Sequence, residues 1–346
     1  MGVMRSIDIP VFIVIDEQIL SELSEILKDS NLYFRKSLVV HGEPPLDEIA
    51  EKVSSSLDSS VRIKVSQNTI DTVTKIEEMI EEVRPDVIIG VGGGKTLDPA
   101  KLASTRMQVG FISIPTVLSH DGISSPVAVI YYGKEAKSVG VRMPLGVIVD
   151  IEVIKKAPLR GVKAGIGDLL SNISAAEDWI FAEKKGKERV DPFALTLART
   201  PALNFLKTDY NSLGDKMLIK DLAEGLIMSG IAMGIAGSSR PASGAEHLIS
   251  HALDKILPEP RYHGEQVGIA TIFTLYMHGK EEWVKVKEFY KKLEIAYTPE
   301  KLGITKDDFL KAVEIAPETR RGRFTILDIK GKEKEYISQV YDRVFG

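Results

Sequence analysis

In the first part of the chain, short apolar runs alternate with amphipathic stretches. The runs at 37–40, 61–65, 86–91, 110–114 and 146–150 have the length and β-branched content of strands. Between them, 71–83 and 98–103 carry apolar residues at helical spacing. Runs at 128–132 and 140–142 flank Gly133-Lys134 and predict a hairpin. The opening segment, MGVMRSIDIPVFIVIDEQIL, is interrupted by Asp8, Pro10, Asp16 and Glu17, so it predicts a strand entering a helix and not a signal peptide. Such alternation argues for an α/β domain with a mostly parallel, Rossmann-like sheet. Beyond about residue 160 the strand signals fade, and helical patterns run over 167–185, 192–207, 220–235, 244–256, 265–278, 281–293 and 305–315. The expected organisation is an α/β domain over 1–160 and an all-helical domain over 161–346. The boundary falls near 158–165, and the active site is expected in the cleft between the two.

Composition narrows the chemistry. The chain has 346 residues and a net charge of −4, which gives no electrostatic footprint for nucleic acid. It contains no cysteine, which excludes disulfides, thiolate catalysis and cysteine-based zinc or iron–sulfur sites. Any metal must therefore sit on His, Asp or Glu. No apolar run reaches the roughly 18 residues that a membrane span needs, and a cytoplasmic location is expected. The expected partners are a small-molecule substrate and further copies of the chain in a homo-oligomer.

The segment Gly90-Val91-Gly92-Gly93-Gly94-Lys95-Thr96-Leu97-Asp98 follows a buried-type strand and opens a helix. Glycines there let backbone N–H groups approach a diphosphate, and the helix N-terminus adds favourable partial charge. Neither common fingerprint fits. The third glycine of G-x-G-x-x-G falls on Lys95, and the Walker A pattern places its first glycine on Ile89. The loop reads as a phosphate cradle of neither type. After the next strand, Pro115-Thr116-Val117-Leu118-Ser119-His120-Asp121-Gly122 places small polar groups where a parallel sheet presents its ligand. Ordinary turn chemistry accounts for that composition equally well.

The chain has six histidines, and His247, His251 and His263 lie close together. His247 and His251 stand at i and i+4 on one helical face, and His263 sits in the turn-like Arg261-Tyr262-His263-Gly264. This clustering suggests a metal. The carboxylate stays open: Asp168, at an expected helix start and equally readable as an N-cap, competes with Glu246 and Glu265.

The segments SHDGISSP, GIGDLLSNISAAEDW, SSRPASGAEHLISHALD and HGEQVGIAT resemble the archaeal-type sn-glycerol-1-phosphate dehydrogenase family. That family lies within the iron-containing alcohol dehydrogenase, glycerol dehydrogenase and dehydroquinate synthase superfamily. The resemblance implies a zinc ion held by Asp168, His247 and His263, and NAD(H) or NADP(H) held by Gly94, Lys95, Thr96, Leu97, Asp98, Thr116, Val117, Leu118, Ser119 and Ser125. It implies substrate contacts at Asp121, Asp168 and His251, with His251 and Asp121 as the catalytic pair. The implied reaction reduces dihydroxyacetone phosphate to sn-glycerol 1-phosphate for ether-lipid backbones. Where the iron-dependent branch has a further His, four residues after the Asp, this chain has Asn172, which favours a three-ligand zinc site. Ser238, Ser239, Arg240 and Ser243 are candidates for the substrate phosphate, with Arg240 equally readable as a salt-bridge partner. Glu43, at the end of an early strand, would favour NAD if it points inward. Glycerol or polyol dehydrogenase, a dehydroquinate-synthase-type lyase and a non-enzymatic nucleotide-binding module remain as competing readings.

Overall fold

The computed structural model describes residues 7–259 and 261–346; the first six residues of the opening segment lie outside them. It forms two compact units, one ending at Pro158 and the other beginning at Leu159.

The first unit is built on six strands: β1 (Phe12–Asp16), β2 (Ser37–His41), β3 (Ser60–Lys64), β4 (Val87–Gly92), β5 (Gly110–Pro115) and, late in the unit, β8 (Gly146–Asp150). All pair in parallel, in the order β1-β8-β5-β4-β2-β3. Strands β2, β4 and β8 are buried along their whole length. That explains their continuous runs of Val, Ile and Leu, because helices cover both faces of a parallel sheet. The helices are α1 (Leu23–Asp29), α2 (Leu46–Ser55), α3 (Ile70–Val83), α4 (Gly94–Met107) and α5 (Ile151–Lys156). Thr69 caps α3 by accepting from Thr72 N–H, and Asp150 caps α5 by accepting from Glu152 and Val153 N–H. β3 lies beyond β2 on one side and β5 beyond β4 on the other, so the strand order reverses between β2 and β4. The crevice at their carboxyl ends is where open α/β sheets bind ligands.

The hairpin strand expected at 140–142 lies earlier. Strands β6 (Val127–Tyr132) and β7 (Glu135–Gly140) pair antiparallel across Gly133-Lys134, with Gly133 at φ 64°. β7 is exposed on nearly every residue, so its sequence carries no apolar alternation to betray it.

The second unit is helical: α6 (Leu159–Lys184), α7 (Pro192–Lys207), α8 (Lys216–Ala236), α9 (Ala245–Ile256), α10 (His263–Met277), α11 (Glu282–Lys292), α12 (Lys306–Thr319), α13 (Leu327–Lys330) and α14 (Lys334–Phe345). α6 begins well before the helix expected from 167, so Asp168 lies in a helix interior and the N-cap reading is wrong. Gly167, just before Asp168, serves packing. A Cβ on Gly167 would lie 2.0 Å from the Gly264 carbonyl oxygen, and one on Gly264 would lie 2.0 Å from that of Ala164. A Cβ on Gly268 would come within 3.0 Å of Gly167 Cα. The backbones of α6 and α10 therefore touch, and only glycine fits at the crossing. His263, expected in a turn, is the first residue of α10. Helices α2, α5, α13 and α14 have no counterpart in the sequence expectations.

Replacing Gly264 by Ala forces a methyl group into a backbone carbonyl. Gly264→Ala is expected to lower the unfolding free energy by roughly 2–4 kcal/mol, whereas Gly214→Ala, which meets nothing within 4 Å, is expected to shift it by less than about 0.5 kcal/mol. Denaturant melts of both variants decide it: equal stability would mean that the helices can separate at no cost.

Candidate functional site

Asp168 on α6, His247 on α9 and His263 on α10 converge, with one ligand atom from each lying within 4.8 Å of the others. Asp168 is buried, and its Oδ1 lies 3.7 Å from His247 Nε2. The two imidazoles meet edge to face with centroids 5.0 Å apart. Each also has its other nitrogen engaged. His247 Nδ1 lies 3.0 Å from Glu246 Oε1, and His263 Nδ1 lies 3.1 Å from Ser250 Oγ. Ser250 donates to Gln266 Oε1 at 2.7 Å, and Gln266 donates to Asp254 at 3.1 Å. Hydrogen bonds of this kind to the far nitrogen fix the ring and leave Nε2 for a metal. One carboxylate oxygen and two imidazole nitrogens form a donor set suited to a three-ligand divalent ion with an open position.

Glu246 is fully buried; its Oε1 also accepts from Gly244 N–H at 2.6 Å, while Oε2 has no partner. Burial disfavours a charged His247, but the hydrogen bonds its ring donates to Asp168 and Glu246 outweigh it and raise the ring to about 9. The site is thus built to hold positive charge. His251, one turn along α9, stacks near His263 with centroids 5.7 Å apart. Burial and the charge of His247 lower it to about 4, so it is neutral at neutral pH. Asn172 is turned to other work, donating to Ala198 O at 3.3 Å and accepting from Ser229 Oγ at 3.4 Å. Glu265 is also committed, holding Arg160 through three hydrogen bonds of 2.9–3.1 Å.

In the first unit the segment Gly92–Gly94 closes β4 and opens α4. A Cβ on Gly92 would lie 2.6 Å from Thr96 Oγ1, one on Gly93 3.0 Å from Val117 Cγ1, and one on Gly94 3.1 Å from His120 Nε2. Thr116 N–H donates to Gly92 O at 3.0 Å, tying the loop after β5 onto the loop after β4. Thr96 and Leu97 N–H both donate to Gly93 O at 2.9 Å, and the N–H groups ahead of them, at Gly94 and Lys95, open α4 beside backbone without side chains, a cradle suited to a diphosphate. Lys95 is exposed, whereas Thr96, Leu97, Thr116, Leu118 and Ser125 are buried. Asp98 does not face the cradle's opening with a free carboxylate. It pairs with fully buried Lys101 at 3.1 Å and accepts from Val129 N–H at 3.1 Å. Lys101 in turn donates to the carbonyls of Gly122 at 2.7 Å and Val127 at 2.6 Å. Asp121 opens a short turn, and its carbonyl accepts from Ser124 and Ser125 N–H. His120 caps that turn, with Nδ1 accepting from Gly122 N–H at 2.9 Å. Its ring over Gly94 is a contact that spacing along the sequence does not reveal.

Arg240 resolves in favour of the salt bridge. It is buried, its Nε donates to Glu188 Oε2 at 2.6 Å, its Nη2 contacts Glu188 Oε1, and Nη2 donates to Phe324 O at 2.7 Å.

The iron-containing alcohol dehydrogenase family matches residues 14–158. Over 337 residues the chain is 40% identical to the glycerol-1-phosphate dehydrogenase (NAD(P)+) of Pyrococcus abyssi, covering 96% of each. It is 38% identical over 317 residues to that of Saccharolobus islandicus strain L.S.2.15, covering 89% of this chain and 90% of the relative. The chain belongs to the glycerol-1-phosphate dehydrogenase family. It is thereby an oxidoreductase acting on CH–OH groups. Its fold is shared with a probable glycerol dehydrogenase from Sinorhizobium meliloti 1021, at a TM-score of 0.79 and 22% identity over 99% of both chains. The glycerol dehydrogenase of Schizosaccharomyces pombe gives 0.78 and 24%, covering 99% of this chain and 91% of that one.

A cation entering the Asp168–His247–His263 site below pH about 9 has to displace a proton from His247. Its apparent affinity should therefore fall about tenfold per pH unit between pH 9 and 7. Glu246→Gln, which weakens the hold on the His247 ring, should cost a further 10- to 100-fold, roughly. Competition with a chromogenic zinc chelator measures both; affinity independent of pH would remove His247 from the ligand set.

Proposed function

We propose that this chain is a zinc-dependent glycerol-1-phosphate dehydrogenase that reduces dihydroxyacetone phosphate with NADH or NADPH. The observation that carries this reading is the convergence of Asp168, His247 and His263, with both histidine Nδ1 atoms already committed. In this reading the unit ending at Pro158 binds the dinucleotide, and the unit beginning at Leu159 binds metal and substrate.

When bound at these three residues, zinc would supply Lewis acidity at the substrate carbonyl, and the dinucleotide would supply the hydride. The chain's own groups do the rest. Gly93, Gly94 and the first turn of α4 hold the diphosphate on backbone N–H groups. Thr116, Ser119 and Ser125 bond the nicotinamide half, and Val117 and Leu118 pack beside it. Asp121 orients a substrate hydroxyl. His251 is neutral, so it serves as a relay: one ring nitrogen donates to the substrate oxygen while the other takes a proton from solvent. Asp168 and Glu246 lie on either side of His247 and balance the positive charge collected there.

Purified protein is expected to convert dihydroxyacetone phosphate far more efficiently than dihydroxyacetone, and chiral analysis of the product should give sn-glycerol 1-phosphate with either reduced dinucleotide. Equal efficiency on the two substrates would point to a polyol dehydrogenase, and turnover without net NADH loss to a lyase. Asp168→Asn should lose stoichiometric zinc and at least about a thousandfold in kcat/KM, on the order of 4 kcal/mol. Full metal content in that variant would overturn the ligand set.

A further inference from the structure

Three arginines converge just before α9, close to the metal-ligand residues. Arg240, on the floor, is neutralised by Glu188. Arg323 is buried; its Nη1 contacts Ser243 O, and its Nη2 donates to Ser239 Oγ at 3.0 Å. Arg320 is exposed and donates from Nη1 to the same Ser239 Oγ at 2.8 Å. Two guanidinium groups thus converge on one hydroxyl oxygen. Among the described residues neither Arg320 nor Arg323 has a carboxylate within ion-pairing distance; Glu188 and Glu246 act on Arg323 from farther off and offset its surroundings only in part. Glu188 holds Arg240, while Glu246 holds His247 and Gly244 N–H. Arg240 Nη1 is buried with no partner.

Packing like charges together without an anion is costly. Burial and the charges of Arg320 and Arg240 draw the Arg323 guanidinium well below its ordinary pKa, which records that cost. Natural cores retain such clusters where an anion completes them, and arginine forks match phosphate oxygens in pairs. The placement also fits the reaction. Ser243, whose carbonyl contacts Arg323, directly precedes the α9 N-cap Gly244, and His247 lies in the first turn of that helix. A three-carbon substrate can bridge that interval, with its carbonyl at the histidines and its anionic end at the arginines.

We infer that Arg320, Arg323 and Ser239 form the subsite for the substrate's phosphate, with exposed Arg320 at its mouth and buried Arg323 at its base. This rests on the reading that the substrate is a triose phosphate. It deepens that reading by assigning the specificity for the phosphorylated substrate to these three residues. The role expected of Arg240 from the sequence passes to two arginines that follow α12.

The test is calorimetric titration of inorganic phosphate into the zinc-loaded protein, with kcat and KM measured on dihydroxyacetone phosphate and on dihydroxyacetone. Arg320→Met should weaken phosphate binding by roughly 10- to 100-fold and lower the preference for the phosphorylated substrate by a similar factor, mainly through KM. Arg321→Met removes the same charge from an exposed neighbour and should change phosphate binding by less than about twofold. Ser239→Ala, which leaves all three arginines in place, should weaken phosphate binding and serves if Arg320→Met fails to fold. The inference is overturned if Arg320→Met or Ser239→Ala binds phosphate like the unaltered protein. It is equally overturned if Arg321→Met weakens binding as much as Arg320→Met, or if kcat falls alike on both substrates. Should the unaltered enzyme show no preference for the phosphorylated substrate, the triose phosphate reading fails. Phosphate titration still reports independently on whether these residues form an anion site.

Discussion

The cluster of Asp168, His247 and His263 depends on backbone contact between α6 and α10. Gly167 and Gly264 let the two helices approach until a single methyl group would collide with a carbonyl oxygen. That contact sets the neighbouring residues, Asp168 and His263, within reach of one ion, although 95 positions separate them along the chain. The closeness of the two backbones thus sets the gap across which this carboxylate and this imidazole face each other. The glycines therefore act on chemistry through distance alone, and they have no polar role of their own.

Around this contact, charge is arranged with the same economy. Two carboxylates, Asp168 and Glu246, face His247 from opposite sides of the ring. Their combined pull favours a cation or, without one, a proton. A turn away on α9, His251 experiences the opposite field and stays neutral. Two histidines on one face of one helix are thereby given different protonation states by neighbours that come mostly from elsewhere in the chain. Such a difference suits the two roles proposed for them, ligand for His247 and relay for His251.

The parallel sheet was legible because its central strands are buried on both faces and read as unbroken apolar runs. The exposed strand β7 was not, since nothing in its residues alternates. The histidine cluster was visible as spacing, but spacing favours His247, His251 and His263 together, because i and i+4 share a helical face. Spacing leaves Asp168 level with Glu246 and Glu265 and only the family resemblance chooses it, because Gly165 and Gly167 make it look like a helix start. Arg320 and Arg323 escaped notice because they belong to a turn distant in sequence from the histidines. Arg240, adjacent to them in sequence, proved to be the arginine already neutralised. Sequence proximity is a poor guide where a site is assembled from helices that return to one point.

The lysine sealed beneath the nucleotide loop has a further consequence. Lys101 and Asp98, paired within α4, fasten it to the hairpin strand β6 and to the turn after β5 through three hydrogen bonds. The start of α4, which the proposed function assigns to the dinucleotide, is consequently braced by the protein's own contacts. Arrival of the cofactor need not freeze a moving segment, so little affinity is lost to ordering, and exchange of oxidised for reduced cofactor at each turnover can proceed by desorption without refolding the loop.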